Sequence, residues 1–161
     1  MTQVRVGLGV DLHRPEGGRP LYLGGVRFEG VPGLSGHSDG DVLCHAVADA
    51  LLGAAGLGDV GDHFPDTDPA YEGMAGLDLL AQVVAMLSDR GLAPSRCDAT
   101  VLAAEPPIAP NREEIRRNLA AALALRTEDV SIKATRPEGL GLSGEGAGCI
   151  AVVTVYPFEP R

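Results

Sequence analysis

Tryptophan is absent from this 161-residue chain, aromatic residues make up only 4% of it, and lysine occurs once, at Lys133. Without large rings the core must be assembled from Val, Leu, Ile and many Ala, which demands close contact between elements. No apolar run is long or continuous enough to span a bilayer, and the N-terminus carries no signal-peptide pattern, so a cytoplasmic protein is expected. Cysteine is also scarce. Cys44, Cys97 and Cys149 are odd in number and form no C-x-x-C pair, which excludes a disulfide framework and predicts buried thiols. Positive charge is short as well, with a net charge of −9 and no basic stripe, which argues against nucleic-acid binding. If the ligand of so acidic a chain is a polyanion, metal ions and backbone amides must carry much of its binding.

Glycine and proline are abundant, at 22 and 12 residues, and the length suits one domain over residues 1–161. Val4–Leu12 reads as a strand, and Leu21–Phe28 as a second one interrupted by Gly24-Gly25. A long helix is expected from Ser38, with the Ser38 hydroxyl as cap and Asp39 and Asp41 in its first turn. Val42, Leu43, Ala46, Val47, Ala50, Leu51 and Ala54 give it helical spacing, and Gly56, Gly58 and Gly61 end it. Residues 57–74 read as a loop. Leu77–Leu87 and Arg112–Leu125 read as helices, the latter capped by Asn111. Cys97–Ala104, Val130–Thr135 and Cys149–Tyr156 read as strands. This order predicts an α/β (α+β) fold with a single mixed sheet, helices on one face and the other face covered by identical subunits.

Asp11 and His13, two residues apart at a strand end, share a face. They are half of a zinc site or simply a polar strand end. His45 lies off the apolar stripe of its helix, in line with Asp41 and Asp49, which fits a ligand oriented by neighbouring carboxylates. Together the three would leave a fourth position open, the arrangement of a catalytic zinc. His37-Ser38-Asp39-Gly40-Asp41, at a helix start, suits either an anion or a plain cap. The segment after Lys133-Ala134-Thr135-Arg136 is rich in glycine. There Glu138 is a lone carboxylate suited to Mg2+ or Mn2+ beside phosphate, or part of a flexible connection.

Taken together, Gly9-Val10-Asp11-Leu12-His13, His37-Ser38-Asp39-Gly40-Asp41 with His45, Leu57-Gly58-Asp59-Val60-Gly61, Phe64-Pro65-Asp66-Thr67-Asp68-Pro69 and Lys133-Ala134-Thr135 with Glu138 resemble the 2-C-methyl-D-erythritol 2,4-cyclodiphosphate synthase family. The resemblance spans nearly the whole chain. It implies a lyase of the non-mevalonate isoprenoid pathway that releases CMP while closing a cyclic diphosphate. It further implies a homotrimer with sites between subunits, one Zn2+ per site on Asp11, His13 and His45, and a second ion, Mg2+ or Mn2+, on Glu138. His37 and Arg136 take the catalytic positions. Ser38, Asp59, Gly61, Phe64, Asp66, Asp68, Ala103, Pro107, Ile108, Ala134, Thr135, Leu142 and Glu145 fall at substrate-binding ones, with Ala103–Ala109 and Ala134–Arg136 reaching the cytidine diphosphate from a neighbouring subunit.

Three positions depart from the family pattern. Arg136 replaces a threonine, Pro107 replaces a lysine, and Glu145 stands where an arginine is common, so isoprenoid diphosphates are not expected in a central cavity. Two other readings use the same residues: a zinc phosphoesterase that activates water, and a trimeric nucleotide-binding module without catalysis.

Overall fold

The alternation of the first strand sets the architecture. The structure, a computed structural model, describes residues 3–141 and 145–158. In β1 (Arg5–His13), Gly7, Gly9, Asp11 and His13 share one face, and Val6, Leu8, Val10 and Leu12 the other. Four short strands follow, β2 (Pro15–Glu16), β3 (Leu21–Leu23), β4 (Val26–Phe28) and β5 (Gly33–Leu34). Then come α1 (Val42–Ala55), α2 (Val60–His63), α3 (Gly76–Asp89), β6 (Leu92–Ala103), α4 (Arg112–Ala122), β7 (Val130–Thr135) and β8 (Ala147–Pro157).

The main sheet has the order β1-β8-β6-β7. β8 runs antiparallel to both β1 and β6, and β7 runs parallel to β6. Strands β1, β6 and β7 therefore all end at the same edge of the sheet. The inward face carries Cys97, Ala99, Val101, Ile132, Cys149, Ala151 and Val153, all buried under the helices. β6 reaches this phase through a register shift between Pro94 and Arg96, the usual effect of a bulge. As expected, helices cover one face. On the other face Val6, Leu8, Val10, Leu12 and Val152 are 41–65% exposed. Farther along that sheet the polar pair Lys133–Asp98 (2.6 Å) replaces the apolar stripe.

Helix α1 is seated on bare backbone. A Cβ on Gly7 would lie 1.8 Å from the Ala50 carbonyl oxygen, and one on Gly9 would lie 1.9 Å from that of Ala46. No residue but glycine fits at either position with the helix where it is. The scarcity of rings is thus met by close approach, with Ala46, Ala50 and Ala54 facing the strand.

Several local expectations need correction. Leu21–Phe28 is not one strand but a tight hairpin of β3 and β4. Gly24 and Gly25 form its two-residue turn with φ of 59° and 72°, the conformation a primed hairpin turn demands. The cap of α1 is Asp41, not Ser38. Its fully buried carboxylate accepts from Cys44 N at 3.1 Å and from Gly24 N and Gly25 N at 3.0 and 2.8 Å. One side chain thus caps the helix and satisfies the hairpin turn. Asp39 and Asp41 consequently precede the helix instead of lying in its first turn. Asn111 makes no side-chain cap bond to α4. Residues 57–74 hold α2 and a 3-10 turn at Pro69–Tyr71. Beside the main sheet stand two two-stranded ribbons, β2-β5 and β3-β4. Among the described residues no helix is long and apolar enough to cross a membrane.

Candidate metal centre and substrate clefts

The close approach of α1 to β1 carries His45 to the strand end that holds Asp11 and His13. Asp11 Oδ2 lies 2.8 Å from His13 Nε2 and 3.2 Å from His45 Nδ1. One ligand atom from each residue falls within 4.8 Å of the others, the one such group of three or more among the described residues. The two rings are tilted at 48°, with centroids 5.4 Å apart.

The outer partners fix the chemistry. His13 Nδ1 donates to the Ser35 carbonyl, so in the neutral ring Nε2 presents a lone pair toward a carboxylate oxygen. His45 Nε2 meets the Ser38 hydroxyl at 2.9 Å, and in the tautomer in which that nitrogen donates, the lone pair of Nδ1 turns the same way. Three acceptors thus converge on one point, an arrangement that only a cation or added protons can satisfy. A nitrogen–nitrogen–oxygen set of three on one side suits a divalent ion with an open position. The partner of His45 is therefore Ser38, and the carboxylates one turn away serve elsewhere. Asp49 accepts from Val60 N at 2.7 Å and ties α2 to α1.

Burial alone would raise the Asp11 carboxyl, but hydrogen bonds and charge from His13 and His45 outweigh it and hold the group well below the usual carboxylate range. Burial alone would lower His13, yet the bond to Asp11 and its charge, with the Ser35 carbonyl, raise it above its ordinary value. Cys44, next to His45, is fully buried and its thiol is pushed well up by desolvation. Burial likewise lifts Cys97 to about 12. Neither thiol is poised to ligate.

A cleft of about 100 Å³ opens beside His45, lined by His37, Ser38, Val60, Phe64, Tyr71 and Met74. Phe64 and Tyr71 form one wall edge-to-face at 5.2 Å. His37 Nε2 donates to the Asp68 carbonyl at 3.0 Å, and the Asp68 carboxylate caps the 3-10 turn through Ala70 N. Asp59 and Asp62 form a reciprocal capping box around α2, with Gly61 inside it, and Asp66 is exposed. Three amides of the segment ahead of the helix are already spent: Asp39 N, Gly40 N and Asp41 N donate to Met74 O, Ser38 Oγ and Asp39 Oδ1.

A second hollow of about 200 Å³ gathers Ala103, Pro107, Ile108, Ala134, Thr135 and Arg136, together with Arg112. The residues of the expected nucleotide set that come from β6, β7 and the loop between them are therefore neighbours within one chain. They are not neighbours of the triad. Asp11 pairs with Cys149, Cys149 with Val101 and Val101 with Ala134, so three strand spacings, about 14 Å, separate the two sites along one edge. Glu138 is exposed just past β7 and holds a φ of 52°. Glu145 lines a different hollow with Glu105, Leu21 and Leu34. Leu142 lies outside the described residues.

Fold and triad together define a mixed α/β protein with a three-residue group that fits a divalent metal at the C-terminal edge of its sheet. The chain belongs to the YgbB family, whose model matches residues 4–156. It is 52% identical over 148 residues to the 2-C-methyl-D-erythritol 2,4-cyclodiphosphate synthase of Pelotomaculum thermopropionicum, covering 92% of this chain and 91% of that one. Among solved structures it resembles the bifunctional IspDF of Campylobacter jejuni at 36% identity and a TM-score of 0.93, covering 99% of this chain and 44% of that one. A 2C-methyl-D-erythritol-2,4-cyclodiphosphate synthase in its CDP-bound form matches at 35% identity and a TM-score of 0.86, over 94% of this chain and 99% of that one.

Sequence reasoning found the three residues that converge but missed Arg112, which lines the second hollow beside Pro106 and Pro107. It also missed the Gly7–Gly9 alternation that seats His45, although the sequence displays it.

Proposed function

We propose that this chain is a 2-C-methyl-D-erythritol 2,4-cyclodiphosphate synthase, a lyase of the non-mevalonate isoprenoid pathway. It converts 4-diphosphocytidyl-2-C-methyl-D-erythritol 2-phosphate into the 2,4-cyclodiphosphate and CMP. The observation that carries the reading is the convergence of Asp11 Oδ2, His13 Nε2 and His45 Nδ1 within 4.8 Å, in a chain half identical to a synthase over nine-tenths of its length. Zinc is the ion that two imidazoles and one carboxylate favour, and Glu138 suits Mg2+ or Mn2+ on the phosphates.

In the reaction a 2-phosphate oxygen bonds to the β-phosphorus, and the bond from that phosphorus to the bridging oxygen breaks. CMP departs with that oxygen and its electron pair. A divalent ion on the triad supplies charge neutralisation between two phosphates that would otherwise repel. The chain supplies position: no side chain has to attack, and holding attacker and leaving group in line is worth up to about 7–11 kcal/mol. His37, on the cleft wall, is placed to donate toward a phosphate oxygen once its bond to Asp68 is exchanged. Asp59, Gly61, Phe64, Asp66 and Asp68 border the erythritol side, and Ala103, Pro107, Ile108, Ala134, Thr135 and Arg136 the cytidine side.

A homotrimer with shared sites is supported by two features. The stripe Val6, Leu8, Val10, Leu12 and Val152 is uncovered, and the triad and the nucleotide hollow lie too far apart along one sheet edge to meet across a β-phosphate. A partner laid over the stripe can bring its hollow to this triad. The test is CMP release from the authentic substrate in 18O water, with and without chelator. Cyclic product without solvent oxygen, lost on chelation, is the expected result. Incorporated 18O would make the protein a phosphoesterase, and bound CDP with unchanged substrate would make it a binding module.

A further inference from the structure

We propose that Arg112 is a substrate-binding residue that forks onto a phosphate of the cytidine nucleotide. The inference rests on the cyclisation reading for the identity of the ligand, and on the second hollow for its place. Arg112 lines that hollow beside Arg136, and the remaining wall is Ala, Pro, Ile and Thr, with no carboxylate. Its Nε is buried and finds no acceptor among the described residues. A guanidinium nitrogen taken from water without a partner is costly, and such groups are retained where an absent anion completes them.

A stabilising role does not account for it. Arg112 is the first residue of α4, where the positive end of the helix disfavours a cation. Nor does it form an ion pair among the described residues. Glu113, its sequence neighbour, is held instead by Arg116 through two contacts of 2.9 Å. Pro106 and Pro107 themselves have no N–H to offer an anion, which leaves more of its binding to side-chain cations. Two arginines therefore fit one chemistry in the hollow: an anion carrying more than one charge, on a body that packs against alanine and isoleucine. A nucleoside diphosphate has both parts. Planar guanidinium groups match phosphate oxygens two at a time.

The test is calorimetric titration of the metal-loaded full-length protein with CDP, CMP and cytidine, for wild type, Arg112→Gln and Arg112→Met. The methionine variant keeps the apolar stem and stands in if the glutamine variant fails to fold. Affinity for CDP and CMP is expected to fall about tenfold or more, with cytidine within twofold of wild type. Unchanged CDP affinity in either folded variant would overturn the proposal. So would an equal loss for cytidine and CDP, which marks a packing role. A wild type that cyclises substrate while its variants bind CDP normally removes only this inference. A wild type that neither binds CDP nor turns over removes the cyclisation reading and this inference together.

Discussion

The two ends of the active-site edge are built on opposite principles. At the β1 end both imidazole rings are already held. His13 is turned by the Ser35 carbonyl and His45 by Ser38 Oγ, and the loop carrying Ser38 is pinned by Arg19 on the Gly36 and Ser38 carbonyls. At the β7 end Arg112 and Arg136 stand on an apolar wall without acidic partners among the described residues. Ligands that must match a small ion to a few tenths of an ångström need prior orientation. Cations that meet a flexible polyanion need only be present and unspent.

Four experiments break or sharpen that contrast. His45→Ala removes a ligand from the rigid end. We expect loss of the bound ion by elemental analysis and a fall in turnover on the order of a thousandfold, while CDP binding to the other end persists. Retained metal with full turnover would remove His45 from the centre. Gly9→Ala leaves every ligand in place but sets a methyl 1.9 Å from the Ala46 carbonyl oxygen. Destabilisation of about 3 kcal/mol in urea should come with weaker metal binding, and a stable, metal-competent variant would refute the seating argument.

Ser38→Ala deletes an outer partner of His45 together with the acceptor of Gly40 N. Metal affinity should drop roughly 10–100-fold with CDP affinity unchanged, and an equal loss of both would mean that the two ends are not independent. The smallest effect is one of pH. His13 sits above its ordinary value, so its pairing with Asp11 stabilises the metal-free chain fully below about pH 6.5 and fades as pH climbs through the raised value. Asp11 titrates far below this range and takes no part. Protons also compete with the ion at low pH. The difference in Tm between metal-loaded and metal-stripped protein should therefore widen as pH rises from 6.5, and a difference that narrows would contradict the assignment.

The strand-end pair Asp11 and His13 was legible because strand geometry fixes the same-face relation of residues two apart, and His45 because it left the apolar stripe of its helix. The inner sheet face and the covering helices followed from the same periodicities. What resisted reading was long-range. Ser38 and Asp41 are both competent caps by type, and only the hairpin turn brought from Gly24 and Gly25 decides between them. The same contest released Ser38 to orient His45. Asn111 resembles a cap but lies in a 3-10 turn at Ala109–Asn111, which already sets the backbone ahead of α4. That Arg112 lines one hollow with Pro106 and Pro107 is a matter of tertiary packing, and no local pattern announces that.

The two missing side chains at Gly7 and Gly9 make the bound ion a gauge of how deeply the helix is docked. Any change that lifts α1 by the thickness of a methyl group draws His45 away from Asp11 while leaving most of the core intact. Metal occupancy should therefore register slight loosening of this layer well before spectroscopic signals of unfolding do.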